Sequence, residues 1–240
     1  MAEMSMNRVI HAAVRRDLDR FTNALSTLGD DDKRRAEQVS MAWANFHDQL
    51  TRHHSSEHRI AWPALRKAGI SDDLLTQFDA EHDRMAAALE RADQAMRSVR
   101  ATPSAENVKA AREAVATLRA TTTEHLDHEE AELEPFYLEH AHTPEMKAMG
   151  RAFGREYKPA EAGTYFAWLQ DGASTDELAG LGRTCQDRLS RSSAESSAAN
   201  TAAPLPQRGG EARSLKPRSP PASQSSPLSD GVPRTSARPL

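Results

Sequence analysis

The sequence predicts an all-α protein: an up-down-up-down four-helix bundle with a short helical C-terminal extension and a disordered tail. Three observations predict it. Apolar residues recur in alternating steps of three and four along four separate stretches, the spacing that keeps them on one helical stripe. The breaks between the stretches carry cap and turn residues. Composition agrees, with 11 Gly and 5% aromatics in a chain rich in Ala, Leu, Arg and Glu.

The first stripe runs His11, Val14, Leu18, Phe21, Leu25, Leu28. GDDD at 29–32 breaks it and offers an Asp as N-cap. The second runs Val39, Trp43, Phe46, Leu50, His53, Glu57, Ile60 and stops near Ala68-Gly69. Ser71 is placed to cap the third, which runs Leu75, Phe78, His82, Met85, Leu89, Ala92, Met96, Val99. Thr102-Pro103 opens the fourth, with proline expected at the first helical position, where its missing N–H costs nothing. That stripe runs Val108, Ala111, Val115, Leu118, Thr122, His125, Glu129 and later Phe136. Short links between four long helices favour antiparallel neighbours.

The bundle is expected over residues 1–142 and a helical extension over 143–189, where Phe153, Tyr157, Phe166 and Trp168 are available for packing. Residues 190–240 hold no aromatic, and eight of the 13 prolines lie beyond residue 200. Such a segment buries too little apolar surface to offset the entropy of ordering it, so a disordered Ser/Pro/Arg-rich tail is expected.

The net charge of -4 is unevenly spread: residues 183–240 carry +5 and the rest -9. An acidic bundle is a poor nucleic-acid binder, because phosphate contacts need clustered positive charge. No apolar run approaches the roughly 20 residues that span a bilayer, so no membrane partner is expected. The N-terminus lacks the basic-then-apolar order of a signal peptide, and Cys185 alone cannot form an intrachain disulfide. A cytoplasmic protein is expected.

Each stripe is apolar except at one level, where it supplies His11, His53 with Glu57, His82, and His125 with Glu129. His11 lies 18 residues before Gly29 and His53 lies 21 after Asp32. At 1.5 Å rise per residue, both stand about 27–32 Å from their shared turn. His82 and His125 repeat those offsets about Arg100 and Ser104, so all six side chains fall in one layer. The halves also repeat in sequence: His53, Glu57 and Pro63 recur as His125, Glu129 and Pro135, displaced by 72. Six ionisable groups buried without partners would cost several kcal/mol each. Four imidazoles with two carboxylates suit iron, manganese or zinc better than calcium or magnesium, which prefer oxygen shells. Two carboxylates able to bridge favour two metals over one.

The order His, H-x-x-x-E, His, H-x-x-x-E resembles the hemerythrin-like (HHE cation-binding) domain over roughly residues 8–140. The strings HHSSEHRIAWPAL and HLDHEEAELEPFY are similar to its two signature helices, including the proline six residues after each Glu. The resemblance implies a non-haem, oxo- or hydroxo-bridged di-iron centre, with two Fe per chain. Its ligands would be His11, His53, Glu57, His82, His125 and Glu129, the two glutamates bridging. It implies a small gaseous ligand or peroxide as partner: O2, nitric oxide or peroxide, bound or turned over, or an iron and oxygen sensor. The oxygen-carrying members resemble a five-His, Glu, Asp set, whereas only four histidines lie on the stripes here, which weakens a transport reading. The extension resembles that of an actinobacterial-type subgroup.

The remaining polar residues are expected to play lesser parts. His54, His58 and His128 flank the motifs and read as partners of ligands or as surface residues. Glu130 either orients a histidine or is solvated. His47, His140 and His142 read as surface residues, and Met85 and Met96 as core. His54 through His58 also spells H-x-x-E-H, a pattern of inverted zinc peptidases. That reading lacks the α/β framework such enzymes need and leaves the second His-Glu motif unexplained.

Overall fold

Each of the four stripes becomes the inward face of a long helix in the computed structural model, which describes residues 4–182. Helix α1 spans Met6–Ser26 and starts where the Ser5 side chain accepts the Arg8 N–H. Helix α2 spans Lys33–Ser56, capped by Asp32 accepting the Arg35 N–H. A π-helical turn, Glu57–Ala61, continues it into α3, Trp62–Ala68. Gly69 ends α3 in the left-handed conformation at φ 106°, which glycine adopts without a Cβ penalty. Ser71 caps α4, Asp72–Ala101, as its position predicts, and Asp72 and Asp73 favour the positive end of the helix dipole.

Helix α5 spans Ala105–His140 and corrects one expectation. Its cap is Ser104, which accepts the Asn107 N–H, so Pro103 lies before the cap and not at the first helical position. The hydroxyl satisfies one of the free N–H groups at the helix start, which proline cannot do. Pro103 instead accepts the Asp31 N–H at 2.9 Å, tying the two turns at this end of the bundle together.

Helix α1 packs on α2 and α5, and α4 packs on the same two. Their stripes build a core of Leu18, Phe21, Leu25, Trp43, Phe46, Leu50, Met85, Met96, Val115 and Leu118, all under 6% exposed. A second apolar cluster lies toward the opposite end: Ala61, Trp62, Leu65, Leu75, Phe78, Leu133 and Met146. Along α2, α4 and α5 the ionisable residues of the stripe fall between members of these two clusters.

The extension forms α6, Pro144–Arg155, and α7, Pro159–Gln170. Helix α6 packs on α3 and the π turn, and α7 on α1. Trp168 of α7 is buried and donates from Nε1 to Asp17 Oδ2 of α1 at 2.7 Å. Phe153 joins the second apolar cluster, while Tyr157 and Phe166 pack against the main core. No strand occurs among the described residues, and no helix among them is long and apolar enough to cross a membrane. The expected disordered tail and Cys185 lie outside the described residues.

Candidate metal centre

Helical spacing brings the six residues of the layer together. His53 and Glu57 are four apart on α2 and the π turn, with His53 Nε2 3.2 Å from Glu57 Oε1. The other oxygen of Glu57, Oε2, stands 3.5 Å from His82 Nε2 on α4. Glu129 Oε2 on α5 is 3.2 Å from His11 Nε2 and 3.6 Å from His125 Nε2. His82 Nε2 and His125 Nε2 approach to 3.1 Å. The layer is largely buried: His11, Glu57, His125 and Glu129 are at most 2% exposed.

Donor atoms converge in two groups, each within 4.8 Å. One is His11, His53, Glu57 and Glu129; the other is His54, His82 and His125. His54 is therefore drawn into the layer and is not a surface residue. Its ring stacks on His82 at 4.2 Å and lies edge-on to His125 at 5.7 Å. Consecutive helix positions differ by about 100° in direction, so His53 turns toward α1 while His54 turns toward α4.

The inward atoms do not satisfy one another. His11 Nε2, His53 Nε2, His54 Nε2, both oxygens of Glu57 and Glu129 Oε2 are buried without an aligned hydrogen bond, close as some of them are. Each such atom costs about 1–3 kcal/mol. Six together rival the 5–15 kcal/mol that holds a typical domain folded. Cations held at the two groups would give these atoms partners.

Outside the layer, carboxylates orient the rings. His11 Nδ1 lies 3.0 Å from Glu130 Oε1, and Arg8 and Arg15 pair with the same carboxylate. His125 Nδ1 lies 2.9 Å from Glu81 Oε2, and His128 Nδ1 lies 2.9 Å from Glu81 Oε1. A ring that donates from Nδ1 presents a bare Nε2 lone pair, the form a metal needs. Glu130 thus takes the orienting role that was one of its two expectations. Glu81 was not singled out in the sequence. A carboxylate partner for His125 is what metal-binding histidines demand, but the register between α4 and α5 that supplies it is a tertiary feature. Of the other flanking histidines, His128 is half-buried on Glu81, and His58 is exposed, 3.2 Å from Asp79.

The electrostatics follow from burial and neighbours. Burial, reinforced by the surrounding imidazoles, pushes His53 and His54 well below the usual histidine range. Burial and His125 bring His82 down to about 4. Burial also lowers His125, against the opposing pull of Glu129 and Glu81. His11 is the exception: burial would lower it, but Glu129 and Glu130 together raise it. Burial would likewise raise Glu129, yet His11, His53 and His125 hold it at about 2. Burial and the charge of Glu129 drive Glu57 well up. Burial works against ionisation of Glu130 and Glu81 too, but the imidazoles bonded to them, with Arg15 for Glu130, keep both below the ordinary carboxylate range. The imidazoles of the second group are thus held neutral, as ligation requires.

The π turn sits at the layer's edge. Its wider ring closes where the Trp62 N–H reaches the Glu57 carbonyl. Extra-residue turns of this kind recur at functional sites. Beyond it the Trp62 ring lies parallel to His82 at 5.8 Å, and its Nε1 donates to Asp79 Oδ1 at 2.8 Å. Pro135, at the matching offset on α5, sits inside a continuous helix, so the sequence repeat is not a repeat of backbone.

Among known families, the hemerythrin HHE cation binding domain matches the chain over residues 7–137. No curated protein and no solved structure matches the chain.

Proposed function

The chain belongs to the hemerythrin HHE cation-binding domain family, and from that premise we propose that its layer holds two irons and binds O2, nitric oxide or peroxide there. His11, His53, Glu57, His82, His125 and Glu129 would hold the pair, with Glu57 and Glu129 shared between the ions. The observation that carries this reading is Glu57. One of its oxygens faces His53 and the other faces His82, both without a hydrogen-bond partner, in a residue 2% exposed. A carboxylate placed between two groups of donors is suited to bridging. Imidazoles mixed with carboxylates favour a first-row transition metal over calcium or magnesium. When bound, two irons supply redox equivalents and an open position for a small ligand.

The protein's own residues do the rest. Trp62, Phe78 and Leu133 on one side, and Leu126 on the other, exclude bulk water from the layer. Glu130 and Glu81 fix the tautomers of His11 and His125. The series His125, Glu81, His128 links the layer to a half-exposed ring by two 2.9 Å hydrogen bonds, a route for protons. Peroxide disproportionation is the turnover this arrangement favours, since one peroxide serves as oxidant and a second as reductant and no external reductant is needed. The test is anaerobic iron loading followed by peroxide addition. Wild type is expected to hold about two irons and evolve O2, and the Glu57→Ala, Glu129→Ala double variant to hold neither. Retention of both irons by that variant would overturn the reading.

A sensing role is the second reading, and one contact favours it. Glu156, just after α6, accepts hydrogen bonds from Ser56, the residue before Glu57, and from Arg59 of the π turn. Movement of the extension would therefore be felt at the layer. Slow ligand exchange with a change in partner binding, in place of rapid turnover, would select this reading.

A further inference from the structure

We propose that His54 is a metal ligand, completing with His82 and His125 a three-imidazole face for the second of the two ions. The inference rests on the two-iron reading above and adds a residue that the H-x-x-x-E pattern does not contain.

His54 is one position from His53, but the helix turns it to the other side of the layer. His53 and His11 meet with ring centroids 5.2 Å apart. His54 meets His82 and His125 instead. The second group would otherwise consist of two imidazoles, with Glu57 and Glu129 approaching from the first. Two nitrogens bound side by side on one ion, with bonds of about 2.0–2.1 Å as in zinc sites, stand roughly 3 Å apart. The 3.1 Å between His82 Nε2 and His125 Nε2 matches that separation. His54 supplies a third donor within 4.8 Å of both.

A purely structural role fits less well. Most buried side-chain nitrogens in a core find a hydrogen-bond partner. His54 Nε2 is buried and has none. Stacking on His82 accounts for the ring's orientation but leaves that nitrogen unsatisfied. With His54 included, the layer holds five imidazoles and two carboxylates, and the two ions are inequivalent. One faces two imidazoles, the other three.

The test uses the full-length protein stripped of metal and titrated anaerobically with Fe(II). Wild type should take up two ions. His54→Ala should take up one tightly, with the second weakened by at least about tenfold, since loss of even an outer partner of a ligand costs 10–100-fold. Two ions bound by His54→Ala with unchanged affinities would overturn the inference while leaving the two-iron reading intact. Fewer than two ions in wild type would overturn both.

A second measurement reads the wild-type protein itself. Histidine ring ¹⁵N spectra of wild type are recorded with and without Zn(II), and His54→Gln serves only to identify the His54 signal. The His54 nitrogen should move with those of His82 and His125 on zinc addition. A His54 signal that stays in place while those two move would overturn the inference.

Discussion

Replacing Glu57 with Gln keeps the size of the side chain and removes its charge, and its effect should change sign with metal. In the metal-free protein, both oxygens of Glu57 are buried and unpartnered beside Glu129. An ionised group in that position opposes folding, so Glu57→Gln should leave stability unchanged or raise it by up to about 1–3 kcal/mol. In the loaded protein the same change removes the carboxylate that faces both His53 and His82, at 3.2 and 3.5 Å. If each ion binds about 100-fold more weakly, each loses about 2.7 kcal/mol of the stabilisation that ligand binding confers. Two ions then account for roughly 5 kcal/mol, which at about 2–4 °C per kcal/mol lowers Tm on the order of 10 °C or more. The assay is thermal unfolding of wild type and variant, each with excess Fe(II) under anaerobic conditions and again with chelator. Equal melting temperatures in both states, with iron content unchanged, would refute the reasoning.

Three further outcomes test separate parts of the account. Glu81→Ala frees the Nδ1 atoms of His125 and His128, and metal affinity should fall about 10–100-fold in a competition titration; an unchanged affinity would show that Glu81 does not orient His125. Phe78→Ala opens a cavity beside His125 and His128 in a fully buried position, and should cost about 3–5 kcal/mol in urea unfolding. The same variant should lose metal to a chelator faster than wild type, and equal rates would mean that Phe78 is no barrier to solvent. Trp168→Phe removes the 2.7 Å hydrogen bond to buried Asp17, and should cost about 1–3 kcal/mol. Loss near zero would show that α7 is not anchored to α1 through that bond.

The part of this architecture that is local in sequence was legible there. Four stripes became four long helices because three-four spacing is a property of a single helix. Asp32 and Ser71 became caps because a short polar side chain before an apolar run satisfies free N–H groups wherever the chain goes. Heights could be matched across turns because rise per residue is constant, and the structure does bring His11, His53, Glu57, His82, His125 and Glu129 to one level.

What was not legible depends on rotation and register between helices. His54 and His58 looked alike beside the motif, yet one faces His82 and the other faces solvent. Only the placement of α4 against α2 distinguishes them. Glu81 directly precedes a stripe residue and looks like an ordinary exposed carboxylate until α5 brings His125 and His128 to it. The π turn was hidden too. Pro63 and Pro135 occupy matched offsets, but only the first adjoins a widened turn.

The most direct test of the central claim is the metal content of freshly purified and anaerobically iron-loaded protein, read with its near-ultraviolet and visible spectrum. About two irons per chain, with charge-transfer bands in the near-ultraviolet, is the expected result. A single zinc, or no metal even after loading, would contradict the account and leave the six unpartnered atoms of the layer without an explanation.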